Sequence, residues 1–169
     1  HILAEKEGSP PWGLPADTTL EWLRCETEQP VDDLLVGTSD SGLVFAQIKR
    51  SLSLSESESS DLASSLDQFV RQFIACRNKS GGPKERPLDP AKDRLVLVTS
   101  SASSEPIRIH FRKVLCRLRN LTPGQAIEQA ATNSIEHRAL SVALKHIRRS
   151  WKAVMGSGPS DEELRQLLS

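Results

Sequence analysis

The sequence predicts an α/β domain: a mixed sheet of about four strands flanked by helices, with a helical extension at its C-terminal end. Three observations predict it. Leu34–Thr38 and Leu43–Lys49 are β-rich runs on either side of a Ser-Asp-Ser-Gly turn, the pattern of a hairpin. Residues 94–100 (Arg-Leu-Val-Leu-Val-Thr-Ser) are an uninterrupted β-branched and apolar run, as in a strand buried on both faces in the middle of a mixed sheet. Between them Leu62, Leu66, Phe69, Val70, Phe73 and Ile74 recur at helical spacing. That helix, Asp61–Arg77, bridges the second hairpin strand to the third run, a right-handed crossover if the two are parallel.

The first residues hold Gly8-Ser9-Pro10-Pro11-Trp12-Gly13-Leu14-Pro15, a loop by its composition, with room for a short helix at 2–7 only. Residues 18–26 read as a first strand, closed by Glu26 and Glu28. After the hairpin, residues 51–60 are rich in Ser and Glu and read as a mobile connector. Ser60 or Asp61 caps the following helix, on which Gln68 and Gln72 lie four apart on one face. Residues 78–92 form a Gly/Pro/charged linker. A helix starts near Glu105, with Pro106 in its first turn. Ile107, Phe111, Val114, Leu115 and Leu118 face inward there. Thr122-Pro123-Gly124 opens a weak helix to about Ala131. Ser134–Met155 is the clearest helix, with Leu140, Leu144, Ile147, Trp151 and Val154 as its buried stripe. Gly156-Ser157-Gly158-Pro159 ends it, and Ser160-x-x-Glu163 is a capping box for a short last helix. The apolar edge of that helix reads as a lead-in to a further domain or as a dimer contact. Residues 1–121 are taken as the core and 122–169 as a helical extension packed on it.

At 169 residues the chain has the size of one domain with a real core. Its net charge is zero, so no global electrostatic argument for nucleic acid exists, but the charges are unevenly placed. Residues 1–104 hold 11 Lys/Arg against 16 Asp/Glu, whereas residues 105–152 hold 10 against 3. An acidic half beside a basic helical half suits a metal centre next to a phosphate-binding surface; simple solvation of exposed helix faces suits it too. Cys25, Cys76 and Cys116 form no Cys-x-x-Cys pair, which argues for reduced thiols in a cytosol over a disulfide framework or a zinc site. No long apolar run or signal peptide is present, and no membrane partner is expected. The chain starts at His1, not at Met, and reads as a piece of something longer.

The hairpin carries the chemistry. Asp32 and Asp33 open its first strand, and Gln47 and Lys49 share a face of its second. With Asp40-Ser41-Gly42 as a three-residue loop and Gly42 left-handed, Ser39 pairs with Leu43. Asp33 then faces Lys49, with Gln47 diagonal to it; a four-residue loop gives that place to Asp32. A carboxylate, an amide and an ammonium converging at a sheet edge fit metal-dependent phosphodiester cleavage. Asp33 and Gln47 are oxygen ligands for a divalent cation, the Ile48 carbonyl is a third, and Lys49 orients or activates the attacking water. The same residues also suit an exposed hairpin end solvated by its own charges, with Asp33 paired to Lys49. Nucleophilic catalysis by Ser or Cys has no support, because no His stands near a nucleophile in any motif.

The run Glu26…Val31-Asp32-Asp33 followed by Gln47-Ile48-Lys49-Arg50-Ser51 resembles the core of the PD-(D/E)XK nuclease superfamily. It resembles most the Gln-x-Lys variant of Mrr-like restriction endonucleases and the N-terminal nuclease domains of bacterial anti-phage NTPases. The resemblance implies a restriction-endonuclease-like core and a Mg2+- or Mn2+-dependent DNA endonuclease in a bacterial cytoplasm. It implies double-stranded DNA as substrate, further NTPase domains as partners and homo-oligomers as the active form. Asp33, Gln47 and Lys49 would be catalytic, with Ile48 and Glu26 joining Asp33 and Gln47 around the metal. Asp32, Gln68 and Gln72 would support them. Arg50, Arg108, Arg112, Lys113, Lys145, Arg148 and Arg149 would contact phosphates without reading bases. Gln47 stands where the superfamily usually has Glu. That removes a charge, for which Glu26, Glu28 or Asp32 would have to compensate. Without compensation, the resemblance implies a module that binds nucleic acid or assembles without cutting.

Overall fold

The computed structural model describes residues 11–79, 86–122 and 124–168; the short helix expected at 2–7 lies outside them. The described residues form a four-stranded mixed sheet in the order β1-β2-β3-β4: β1 (Leu20–Cys25), β2 (Leu34–Thr38), β3 (Leu43–Lys49) and β4 (Arg94–Thr99). The first two pairings are antiparallel, and β3 runs parallel to β4 through a crossover containing α1 (Asp61–Arg77). A π-helical turn, Pro106–Phe111, continues into α2 (Arg112–Leu118), followed by α3 (Ser134–Met155) and α4 (Asp161–Leu168). The α/β architecture with a helical C-terminal part is therefore the one the sequence predicts.

Alternation along the central strands explains the two layers. Leu35, Leu43 and Phe45 point into the main core with α1, α2, α3 and α4, while Val36 and Val44 meet Leu14 and Trp12 on the opposite face. Trp151 of α3 lies against Phe73 of α1 with ring centroids 5.6 Å apart. The crossing of α1 and α3 thus carries the largest buried side chain of the extension. One buried cluster runs from Val31 to Leu168, so residues 122–168 share the core of the sheet.

Several expectations need correction. β4 is an edge strand of half-buried residues, not a central one: its apolar run is covered by helices on one face and by the Trp12 segment on the other, but has no outer neighbour among the described residues. Val154, in the last turn of α3, is exposed. Leu115 is only half-buried. Helical structure near Thr122 is confined to a 3₁₀ turn at Ile127–Ala130. The apolar edge of α4 (Leu164, Leu167, Leu168) is buried in this chain's own core, under the predicted Ser160–Glu163 capping box. Residues 80–85 of the linker are outside the described residues, but its last part is fixed. Asp93 is buried, takes the Leu43 amide at 2.8 Å and the Asp89 amide at 2.6 Å, and pairs with Arg86.

A buried acid escaped the sequence reading altogether. Glu136, in the first turn of α3, accepts the Thr132 amide and hydroxyl at 2.9 Å each and the Arg117 guanidinium at 2.6 Å. The Arg117 contact, helped by the Thr132 hydrogen bonds, holds its carboxyl down at about 2 from the usual 4.5. The ionised form is favoured by folding. Its stabilisation is full above about 4.5 and disappears as the pH falls toward 2. Glu136→Gln is therefore expected to cost about 2–3 kcal/mol at neutral pH, seen as a lower melting temperature. The gap from wild type should close between those two pH values. An unchanged gap at low pH would assign the effect to packing rather than to charge.

Candidate active site at the hairpin end

The site is built by the turn. Thr38 and Gly42 pair by a 3.1 Å hydrogen bond, so the loop is Ser39-Asp40-Ser41, and Gly37 lies opposite Leu43. The left-handed residue is Ser41, at φ +66°, not Gly42. Asp40 stabilises this turn by accepting the Thr38 hydroxyl at 2.6 Å and the Gly42 amide at 3.1 Å, which lowers its carboxyl pKa. Gly42 is required for room, since a Cβ there would collide with the Lys92 carbonyl and the Thr38 hydroxyl. The predicted register is thus off by two residues. An even shift preserves faces, so Asp33, Gln47 and Lys49 stay on one side of the sheet. Asp33, however, comes opposite Gln47, and Lys49 lies one step farther along.

Asp33 Oδ2 accepts the Gln47 side-chain amide and, at 2.6 Å, the Ile48 backbone N–H. Ile48 therefore meets Asp33 through a donor rather than through the carbonyl that a cation would use. Gln47 is 1% exposed, and its Oε1 has no hydrogen-bond partner. A buried amide oxygen without a donor costs about 1–3 kcal/mol, so this atom marks a place where a ligand would stabilise the fold. Lys49 is half-buried at the end of β3, beside Thr99 of β4, and makes no ion pair among the described residues. The alternative Asp33–Lys49 pair is absent.

The surrounding acids divide. Glu26 lies across from Asp33 on the β1 side, its amide donating to the Asp33 carbonyl at 3.3 Å, so Glu26, Asp33 and Gln47 form one row over three strands. Glu26 has φ +50°, which turns its Cβ out of the pleat, and it is exposed. Asp32 is exposed, Asp33 half-buried. Among the described residues no group of three or more His, Cys, Asp or Glu side chains is placed to hold a metal ion. The donor set is one carboxylate and one unpartnered amide oxygen. That fits Mg2+, which keeps several waters and shares substrate phosphate oxygens, better than a cation needing a full protein cage.

Gln72 does not reach Lys49. It is buried, accepts the Val31 amide at 3.2 Å and donates to Cys76 Sγ at 3.3 Å, fixing the chain two residues before Asp33. Gln68 is half-buried with its Oε1 enclosed and unpartnered. The connector at 51–60, a mobile link by its composition, is anchored at its start. Leu52 is in the core, its amide bound to Ser103 Oγ at 2.7 Å and its carbonyl to the Ser104 amide at 2.8 Å.

The cations also divide. Arg108, Arg112 and Lys113 line an open groove of about 410 Å³ with Ile109, Cys116 and Arg117. Arg108 is tied to the strand ends by its bond to the Ser103 carbonyl at 2.8 Å. Arg50 and Arg148 are exposed. Lys145 and Arg149 are already engaged by Glu56 and Glu58, at 2.8 and 3.0 Å. Among the described residues no helix is long and apolar enough to cross a membrane. No protein-family model, curated protein or solved structure matches the chain.

Proposed function

We propose that this chain is a Mg2+- or Mn2+-dependent DNA endonuclease domain, the effector part of a bacterial, cytoplasmic anti-phage protein of the PD-(D/E)XK type. The observation that carries the reading is the alignment of Asp33, Gln47 and Lys49 on one face, around a buried amide oxygen with no donor. Asp33 and Gln47 would hold the metal, which when bound supplies positive charge to a phosphodiester and acidifies a water. Lys49 hydrogen-bonds the attacking water and offsets charge gathering on the phosphate. Arg108, Arg112 and Lys113 hold the duplex by its backbone, with no base readout, because nothing in the sequence resembles a helix built to enter a groove. Incubation with plasmid DNA and magnesium or manganese should nick or linearise it, and chelator should stop the reaction. Intact plasmid under every metal condition, in a folded protein, rejects the enzyme.

One observation favours a second reading, a module that binds DNA without cutting it. The site has a single inward carboxylate, and that carboxylate already has two donors. Gln47→Glu separates the two. Replacing the amide donor by a second carboxylate sets two negative groups side by side, and the metal-free variant should lose about 1–3 kcal/mol. Added Mg2+ should restore that stability and bind more tightly than to the wild type by calorimetry. Weaker binding by the variant takes Gln47 out of the ligand set.

A further inference from the structure

The segment between Leu52 and Ser60 is held by the core at its start, through Leu52 and Leu54, by the cap of α1 at its end, and lightly from Ser55 to Ser59. Leu52 is 3% exposed, and Ser60 caps α1 by accepting the Ala63 amide at 3.2 Å. The intervening chain lies on α3 through three contacts. Glu56 meets Lys145 at 2.8 Å, Glu58 meets Arg149 at 3.0 Å, and the Ser55 carbonyl meets His146 Nε2 at 2.8 Å. The spacing is complementary. Glu56 and Glu58, just before and within the turn that leads into α1, each meet one of two cations that lie one helical turn, about 6 Å, apart along the axis of α3. A nucleic-acid strand offers the same chemistry, a row of anions at several-ångström intervals.

We infer that residues 55–59 are a displaceable acidic strap that occupies a phosphate-binding face of α3 formed by Lys145, His146 and Arg149, and that DNA must compete with it for that face. The inference rests on the nucleic-acid reading above and adds its regulation. Magnitudes favour displacement. Three of the four side chains in these pairs are largely solvent-exposed, Glu56 and Lys145 at 59% each and Glu58 at 77%, against 35% for Arg149, and solvent-exposed pairs are individually weak. A polyanion that releases counterions on binding competes effectively with contacts of that strength. The anchors at Leu52 and Ser60 make the movement local: the strap lifts while α1 and the sheet stay in place. His146 is 1% exposed beneath it, so lifting uncovers an imidazole.

The test is binding of a short fluorescent duplex without divalent metal, over a series of salt concentrations. It compares wild type, Glu56→Gln/Glu58→Gln and a charge-matched control, Asp17→Asn/Glu128→Gln, which neutralises two exposed acids that pair with neither Lys145 nor Arg149. The strap variant should bind roughly threefold to thirtyfold more tightly. Its log–log salt slope should steepen by about two units, as two further cations meet phosphates; the control should keep the wild-type slope. Adding Lys145→Ala/Arg149→Ala to the strap variant should remove the extra slope. In the wild type, DNA should shift the His146 ring resonances. Equal slopes in wild type and strap variant, with His146 unshifted while DNA binds, overturn the strap and leave the nucleic-acid reading standing. No binding by any variant at low salt overturns that reading, and the strap with it.

Discussion

Lys49→Ala is expected to lower metal-dependent DNA cleavage by about 10²–10⁴-fold and to leave the melting temperature within about 2 °C of wild type. Both halves follow from position. Lys49 ends β3 half-buried, without an ion pair among the described residues, so its removal breaks no salt bridge and opens no cavity in the core. It shares a face with Gln47 and Asp33, so under the proposed reaction the attacking water and the phosphate would lose their ammonium. Single-turnover cleavage at saturating DNA reads the chemical step, and a thermal melt reads the fold. Wild-type cleavage by the folded variant would remove Lys49 from the mechanism. A large loss of stability would show instead that the side chain supports the β3–β4 pairing beside Thr99.

The elements with strong periodicity were legible in the sequence, and the corrections share a physical origin. α1 and α3 have apolar residues at helical spacing, β2 and β3 are short β-rich runs bounded by a turn, and the bounds of all four came out as read. β4 was placed in the sheet but at the wrong depth. An apolar run reports that both faces are covered, not whether a further strand lies alongside. The hairpin register slipped because one glycine in a turn has two possible reasons. The reading assigned Gly42 a left-handed backbone, whereas it is needed for the close approach of Lys92, and Ser41 takes the left-handed place. The connector at 51–60 looked mobile from its Ser and Glu content, but its partners Ser103, Lys145, His146 and Arg149 lie about fifty to ninety residues away. Glu136 was missed because its charged partner, Arg117, reaches it only once α2 and α3 are packed. A capping position followed three residues later by Glu was the one local signal, and Asn133-x-x-Glu136 carries it. Site residues were found because they are chemically out of place in strands. Their mutual contacts depended on register, which composition does not contain.

Asp33 and Asp32 are adjacent and chemically identical, so they make the sharpest test of that register. Asp33→Asn is expected to reduce cleavage by about 10²–10³-fold, and Asp32→Asn by less than about tenfold. The first strand fixes the difference: Leu34 pairs with Ala46, so Asp33 points to the side of Gln47 while Asp32 points away and is exposed. Asparagine is the informative replacement. Its neutral oxygen can still accept from Gln47 and the Ile48 amide, so the hairpin end should lose only about 1 kcal/mol. What disappears is the single negative charge in contact with Gln47, whose side-chain oxygen has no donor. Mg2+ affinity should fall with cleavage in Asp33→Asn and stay near wild type in Asp32→Asn, measured by calorimetry on both. Equal sensitivity would mean that DNA rather than Asp33 completes the metal site. Reversed sensitivity would mean that the chain at Asp32–Asp33 turns over in the metal-bound form, exchanging the two carboxylates across the face of β2.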